Sequence, residues 1–199
     1  MFLIRIFTGS IVGIISGVVL LVVGLLVVSV LAIGALAITG GPSDCTPGGG
    51  TITIDAAHSD AFKQKWKGFN DLLDAGTASS VTLTESEISS RADTYLRAKD
   101  APIKQPRACI HDGNAEGQAK ISFLGLTIKF KVKGTMDLTG AHPKAKIDSM
   151  EIGNVPGWLL SPARKAVNSA IDDELNKVTL DHRYAPVLKP GQAEVGGTP

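Results

Sequence analysis

The sequence contains few of the residues on which several classes of protein depend. It has only two cysteines, Cys45 and Cys109, which excludes a multiply cross-linked scaffold, and their spacing fits neither a CxxC pair nor a zinc site. Aromatic residues make up 5% of the chain, too few for a surface that stacks nucleic-acid bases. The formal net charge is +1, so no overall field attracts nucleic acid. We therefore expect no nucleic-acid partner.

Catalytic and metal-binding motifs are also missing from the sequence. The four histidines are His58, His111, His142 and His182. No two of them are three or four residues apart, so we expect no metal site. There is no GxSxG motif, no phosphate-binding loop and no dinucleotide fingerprint. We predict a protein that is not an enzyme and needs no cofactor, although catalytic groups that only folding brings together leave no pattern in a sequence.

One long uncharged run dominates the N-terminus. No charged residue occurs from residue 11 to residue 38, and this run exceeds the ~20 residues that a helix needs to cross a bilayer. Arg5 precedes the run and no Lys or Arg follows before Lys63, so the positive-inside rule places the N-terminus in the cytoplasm. We predict a cytoplasmic stub and transmembrane anchor at 1–39, single-pass in the cell membrane. A signal peptide cleaved at 35–37 (Ala-Leu-Ala) is the alternative, but signal peptides normally have shorter apolar regions.

Small residues recur along one face of the predicted anchor helix. Gly9, Gly13 and Gly17 are four residues apart, a spacing that lets a second membrane helix approach closely. Glycine is also common in membrane helices in general. Two interpretations therefore remain: a contact face for a membrane-protein partner, and ordinary membrane-helix composition.

The segment after the anchor, TGGPSDCTPGGGT, has no apolar periodicity. Its Gly, Pro and Ser content predicts a flexible linker at 40–51, which we call the linker. Residues 52–199 are long enough for one domain with its own core, and the orientation of the anchor makes this domain extracytoplasmic. Oxidising compartments allow disulfides, so Cys45 and Cys109 either form one bridge or remain free thiols.

Three amphipathic helices are predicted in the domain. The first carries Phe and Trp side chains at helical spacing and begins at Ser59 or Asp60. The second begins at Thr84, which is placed to form a capping box with Glu87. The third covers about 158–178, with an apolar residue at every third or fourth position.

Six strand candidates are separated mostly by turn signals. They cover residues 103–111, 115–124, 126–139, 144–153, 179–187 and 190–196. Short turns between consecutive strands indicate antiparallel pairing, with one apolar and one solvated face. The third candidate shows this best, because Ile128, Phe130 and Val132 alternate with lysines. The predicted fold class is α+β: an N-terminal transmembrane helix followed by a curved antiparallel sheet packed on amphipathic helices.

The lysines of the predicted sheet have two interpretations. Lys129, Lys131 and Lys133 share one strand face, and neighbouring candidate strands add lysines at 120, 144 and 146. Such a face is suited to anionic headgroups. Alternating lysines on an exposed strand also protect it from edge-to-edge aggregation, which is the more ordinary reading.

The order of these segments resembles a bacterial envelope family. From Val81 to Gly197 the chain contains VTLTESEISSRADTYL, then VKGTMDLTG, then MEIGNVPGWLLSPARKAVNSAIDDEL, and finally LKPGQAEVGG. This order is similar to that of the single-span YpmS-like and LmeA-like proteins, which are similar in turn to tubular lipid-binding (TULIP-like) domains. The most specific element is Ile152-Gly153-x-x-Pro156 before the last helix, and the resemblance covers about 60% of the chain. It implies a bent sheet that wraps a helix around an apolar groove for acyl chains, and no catalytic residues.

These observations predict a membrane-anchored, extracytoplasmic lipid-binding or lipid-transfer module of the bacterial cell envelope. Its expected partners are the bilayer and a phospholipid or another amphiphile. The groove candidates are Leu124, Leu126, Ile128, Phe130, Val132, Leu160, Val167 and Ile171. The same residues suit a closed core equally well, so a non-catalytic accessory subunit of a membrane protein complex is the alternative. A hydrolase or transferase of envelope lipids is a third hypothesis.

Overall fold

The computed structural model describes residues 40–123 and 126–199 of the chain. The elements, in chain order, are α1 (Ala56–Asp74), β1 (Ser79–Thr84), α2 (Glu85–Ala98), β2 (Ile103–His111), β3 (Asn114–Phe123), β4 (Leu126–Asp137), β5 (Lys144–Ile152), α3 (Gly157–Leu175), β6 (Arg183–Lys189) and β7 (Gln192–Thr198). The linker contains neither helix nor strand.

The strands form two antiparallel sheets. β2, β3, β4 and β5 pair in chain order through short turns, so alternation along the sequence carries over directly into a four-stranded sheet. The second sheet has three strands in the order β1-β7-β6, and β1 pairs with β7 from Ser79 opposite Gly197 to Thr84 opposite Gln192. The last strand of the chain is therefore the central strand of this sheet.

The N-terminus of α2 forms where the sequence predicts it. The backbone N–H of Glu87 donates to Thr84 Oγ1 at 3.3 Å, and that of Thr84 donates to Glu87 Oε2 at 2.8 Å. Lys65 of α1 lies 2.7 Å from Glu87 Oε1. Burial opposes the charged carboxylate, but the Lys65 ammonium and the Thr84 amide outweigh it and lower the pKa of Glu87. The capping box is thus confirmed, and it also attaches α2 to α1.

The predicted start of α1 at Ser59 or Asp60 is wrong. The helix begins one turn earlier, at Ala56, because the Asp55 side chain accepts the backbone N–H of His58 at 2.8 Å. The extra turn has no apolar periodicity, so the sequence pattern does not reveal it.

Apolar residues form two main clusters. The interior cluster lies between the four-stranded sheet and the helices α2 and α3, and it includes Leu96, Ile121, Phe130 and Val167. α2 packs against the outer strand β2 and α3 against the outer strand β5. The second cluster joins the aromatic face of α1 to the three-stranded sheet. Each sheet therefore buries one face under helices, as the prediction of one-sided strands requires.

The predicted fold class needs correction. The domain is α+β with antiparallel strands and amphipathic helices, but the strands are divided between two sheets instead of forming one. In residues 40–123 and 126–199, none of the helices has the length and apolarity needed to cross a membrane. The predicted transmembrane anchor (residues 1–39) and its Gly9/Gly13/Gly17 face lie outside the described residues.

The capping box yields a stability prediction. Replacing Thr84 with Ala removes the acceptor for the Glu87 amide, so the free energy of unfolding should fall by about 0.5–2 kcal/mol. Thr84→Ser keeps the hydroxyl and should recover most of the loss. Urea unfolding followed by circular dichroism measures both. An equal loss in the two variants would show that the methyl group matters rather than the cap.

Candidate functional site

Most of the predicted groove residues lie inside the protein. Ile128 and Phe130 of β4 and Leu160, Val167 and Ile171 of α3 are buried in the interior cluster, with Val167 at 0% exposure and Phe130 at 7%. The structure therefore brings the groove candidates of β4 and those of α3 together. In this conformation they cover one another, as in a packed core.

The remaining groove candidates lie at the margin of the interior cluster, at the end of the sheet, or outside the residues that the structure describes. Val132 is half-buried and packs against the edge of the interior cluster, while Leu126, the first residue of β4, is 40% exposed. Leu124 lies outside the described residues. Val132 thus marks one edge of the interior cluster, and Leu126 marks one end of the sheet.

Two separate helices cover the apolar face of the four-stranded sheet. α2 packs on β2 and α3 on β5, the two outer strands. The apolar side chains of the central strands, such as Ile121 and Ile128, are buried in the same cluster as Leu96 of α2 and Val167 of α3. We call the boundary between α2 and α3 the seam. Separating the two helices would expose the apolar side chains of the central strands.

The polar face of the same sheet carries the linker. The backbone N–H of Cys45 donates to Gln118 Oε1 at 2.9 Å, and Gln118 Nε2 donates to Asp44 Oδ1 at 2.8 Å. Lys129 Nζ lies 3.1 Å from the same Asp44 oxygen, and Lys131 Nζ donates to Ser43. The Gln118 amide, followed by the Lys129 ammonium, lowers the pKa of Asp44. Lys129 and Lys131 thus contact the linker.

A disulfide fixes the linker to β2. Cys45 and Cys109 are bonded, with their Cα atoms 6.1 Å apart, and Cys109 is fully buried. The bridge closes a loop of 64 residues that contains α1, β1 and α2. Of the two alternatives that the sequence left open, the structure has the bridge.

Glu85, at the first position of α2, holds the next part of the linker. Its side chain is 3% exposed and accepts backbone N–H groups from Gly48 at 2.9 Å, Gly49 at 3.1 Å and Ile110 at 2.6 Å. Its own backbone N–H donates to the carbonyl of Gly191 in the β6–β7 turn. A buried carboxylate with three amide donors is well compensated, and the positive end of α2 adds to this.

Glycine is required where these segments meet. A Cβ atom at Gly48 would collide with the Ile110 carbonyl and the Gly191 amide. Gly191 itself has a φ of +80° and lies against Gly49. The glycines that predict flexibility from composition here allow close backbone approach instead. Sequence reasoning missed Glu85 and Gln118, because their contacts with the linker join residues far apart in the chain.

The disulfide yields a second stability prediction. Replacing both Cys45 and Cys109 with Ser should lower the free energy of unfolding by about 2–4 kcal/mol, because the open loop restores conformational freedom to the unfolded chain. Urea unfolding of the full chain in detergent measures this. Wild-type protein treated with dithiothreitol is the matched control and should show a similar loss. Unchanged midpoints in both samples would contradict the bridge.

Glu85 yields a third prediction. Glu85→Gln keeps the size of the side chain but replaces one carboxylate oxygen with an NH₂ group. This group cannot accept a hydrogen bond from a backbone amide, so the free energy of unfolding should fall by about 1–3 kcal/mol. Amide hydrogen exchange at Gly48, Gly49 and Ile110 should accelerate. Glu116→Gln, on the polar face of β3, is the control and should leave these amides protected. Equal exchange rates in the two variants would contradict the anchoring role of Glu85.

Comparison with known proteins gives no neighbour for this arrangement. No protein family model, no curated protein and no solved structure matches the chain. Within the described part of the chain, no group of three or more His, Cys, Asp or Glu side chains is placed to hold a metal ion. The resemblance to single-span envelope proteins stays a prediction.

Proposed function

We propose that this chain is a membrane-tethered, extracytoplasmic lipid-binding domain that accepts an acyl chain between the four-stranded sheet and the helices α2 and α3. The observation that carries the proposal is the seam between these helices. Each helix packs on an outer strand, and the apolar side chains of the central strands share one buried cluster with both helices. Moving one helix away from the other would give an acyl chain an apolar strip of sheet without breaking the hydrogen bonds between the strands.

The disulfide supports the extracytoplasmic part of the proposal. Disulfides persist in oxidising compartments and are rare in the cytosol. The Cys45–Cys109 bridge lies directly after the uncharged run at 11–38, so a chain anchored by that run would carry its bridge on the outer side. The bridge and the charge asymmetry around the run therefore agree on one orientation.

A non-catalytic accessory subunit remains the second candidate, because one observation favours it. Phe130, Val167 and Ile171 are at most 7% exposed, so the interior cluster is filled by the protein's own side chains. A permanently filled core leaves the domain only its surface for contacts with a membrane protein. The two candidates differ in whether the seam opens.

Val132 separates the two candidates experimentally. Val132→Asp places a charge at the half-buried edge of the interior cluster, where it stays hydrated while the seam is closed and meets the acyl chain when a lipid is bound. The full chain would be reconstituted in vesicles that contain a phospholipid with a photoreactive acyl tail. After irradiation, mass spectrometry should find labelled peptides from β4 and α3 in the wild type. Labelling should fall by about tenfold or more in the variant, because an unpaired charge next to an acyl chain costs well over 1.4 kcal/mol.

The control is Val187→Asp, because Val187 is 51% exposed on β6 and lies outside the interior cluster. This variant should keep wild-type labelling. Both variants should keep a cooperative thermal transition. Global unfolding of Val132→Asp, or an absence of labelled peptides from β4 and α3 in the wild type, would favour the filled core and the accessory-subunit function.

A further inference from the structure

The described chain begins at one particular end of the four-stranded sheet. Gly40 packs against the side chain of Asn154, which follows β5, and Gly41 packs against the stem of Lys129 in β4. The backbone N–H of Gly153 donates to the carbonyl of Lys129, which joins these two contacts. Only Thr39 separates Gly40 from the last residue of the uncharged run. The uncharged run therefore joins the domain at this end of the sheet.

The same end exposes two large apolar side chains. Trp158, in the first turn of α3, is 75% exposed, and Leu126, at the start of β4, is 40% exposed. β4 and β5 pair with Phe130 opposite Ile152, so the chain that continues from β5 to Trp158 passes beside the beginning of β4. Leu126 also points to the sheet face that α3 covers, because it alternates in phase with Ile128 and Phe130. Both residues thus lie at one end of the four-stranded sheet.

A row of lysines crosses the opposite face of the sheet near this end. Lys104 pairs with Lys120 on the neighbouring strand, and Lys120 pairs in turn with Lys129. Like charges directly opposite each other are unfavourable unless something compensates them. Lys129 has Asp44 as a partner, whereas Lys104 and Lys120 have no carboxylate partner within residues 40–123 and 126–199. An anionic surface in contact with this end would supply the missing negative charge.

We propose that this end of the domain lies on the surface of an anionic bilayer, with Trp158 and Leu126 at headgroup depth and with Lys104 and Lys120 facing lipid phosphates. Tryptophan favours the membrane interface because its ring is apolar and its N–H is polar. The inference rests on the membrane tethering in the proposed function but not on lipid uptake by the seam. Other exposed apolar residues do not share this position: Leu72 lies on α1, and Met136 lies near the far end of β4.

The linker contacts give this orientation its physical basis. A free linker of 40–51 would allow the domain to tumble and would span up to about 40 Å. With Gly40 and Gly41 packed on the sheet and Cys45 bonded to Cys109, residues 40–51 add no length between the uncharged run and the sheet. Attachment at this end therefore makes its contact with the bilayer effectively intramolecular, so weak interfacial contacts suffice.

Tryptophan fluorescence tests the proposal in the full chain. The sequence has two tryptophans, and Trp66 is buried within the aromatic cluster of α1, whereas Trp158 is exposed. The chain would be reconstituted in vesicles of phosphatidylcholine and phosphatidylglycerol that carry bromine on their acyl tails. The emission of Trp158, taken as the difference between wild type and Trp158→Phe, should fall by at least about half, as expected for a ring at the interface. The residual emission of Trp158→Phe should not change.

A reporter at the far end of the sheet is the matched control. Met136 lies near the other end of β4 and is 43% exposed. Met136→Trp in the Trp158→Phe background places the only exposed tryptophan ring at that position. This ring should escape the brominated lipid and be quenched by aqueous iodide. Equal bromine quenching at positions 136 and 158 would overturn the proposed orientation. Quenching of Trp158 by iodide alone would also overturn it and would indicate a protein partner or open solvent at this end.

Flotation separates failure of this proposal from failure of the proposed function. A chain that floats with vesicles but shows unquenched Trp158 keeps its membrane tether and lacks the proposed contact. A chain that does not float with the vesicles contradicts the membrane tethering, and the proposed orientation, which rests on the tethering, is then also wrong. Photolabelling of β4 and α3 depends on neither readout, so lipid uptake by the seam is judged separately.

Discussion

Backbone amides from two distant parts of the chain converge on one buried carboxylate, that of Glu85. The linker supplies the Gly48 and Gly49 amides, and β2 supplies the Ile110 amide. The residue itself begins α2 and donates its own N–H to the β6–β7 turn. Without this carboxylate, three N–H groups would lose their acceptor at once, and the loss is costliest for the buried amide of Ile110. The junction of the two sheets, α2 and the linker depends on it.

The two faces of the four-stranded sheet therefore make different contacts. The apolar face builds the interior cluster under α2 and α3, while the polar face binds the linker through Gln118, Lys129 and the disulfide. A lysine-rich strand face in a chain with a long uncharged run predicts headgroup contact. In the folded domain much of that face is already occupied by the chain's own linker. The lipid contacts that we propose therefore involve the seam and the end of the sheet.

Local chemistry made part of this fold predictable. The capping box at Thr84 and the alternation around Phe130 depend on neighbouring residues only, so the sequence reveals α2 and β4 directly. The division into two sheets depends on the pairing of Ser79 with Gly197, and alternation cannot select a partner so far along the chain. The same limit applies to the site. The sequence indicated which side chains face inward but gave no sign that they fill the space, because closure depends on where α2 and α3 pack.

The disulfide also determines how the domain bears mechanical load. A force that reaches the domain through Gly40 enters at Cys45 and crosses a covalent bond to Cys109 in β2, so it bypasses the 64-residue loop that holds α1, β1 and α2. Those elements are shielded from tension as long as the bridge is intact. The load continues along β2, whose hydrogen bonds to β3 form one ladder of the four-stranded sheet. A pull on the chain before Gly40 would therefore act on the sheet, and the contacts of Glu85 with Gly48 and Gly49, which follow Cys45 in the chain, would carry no tension.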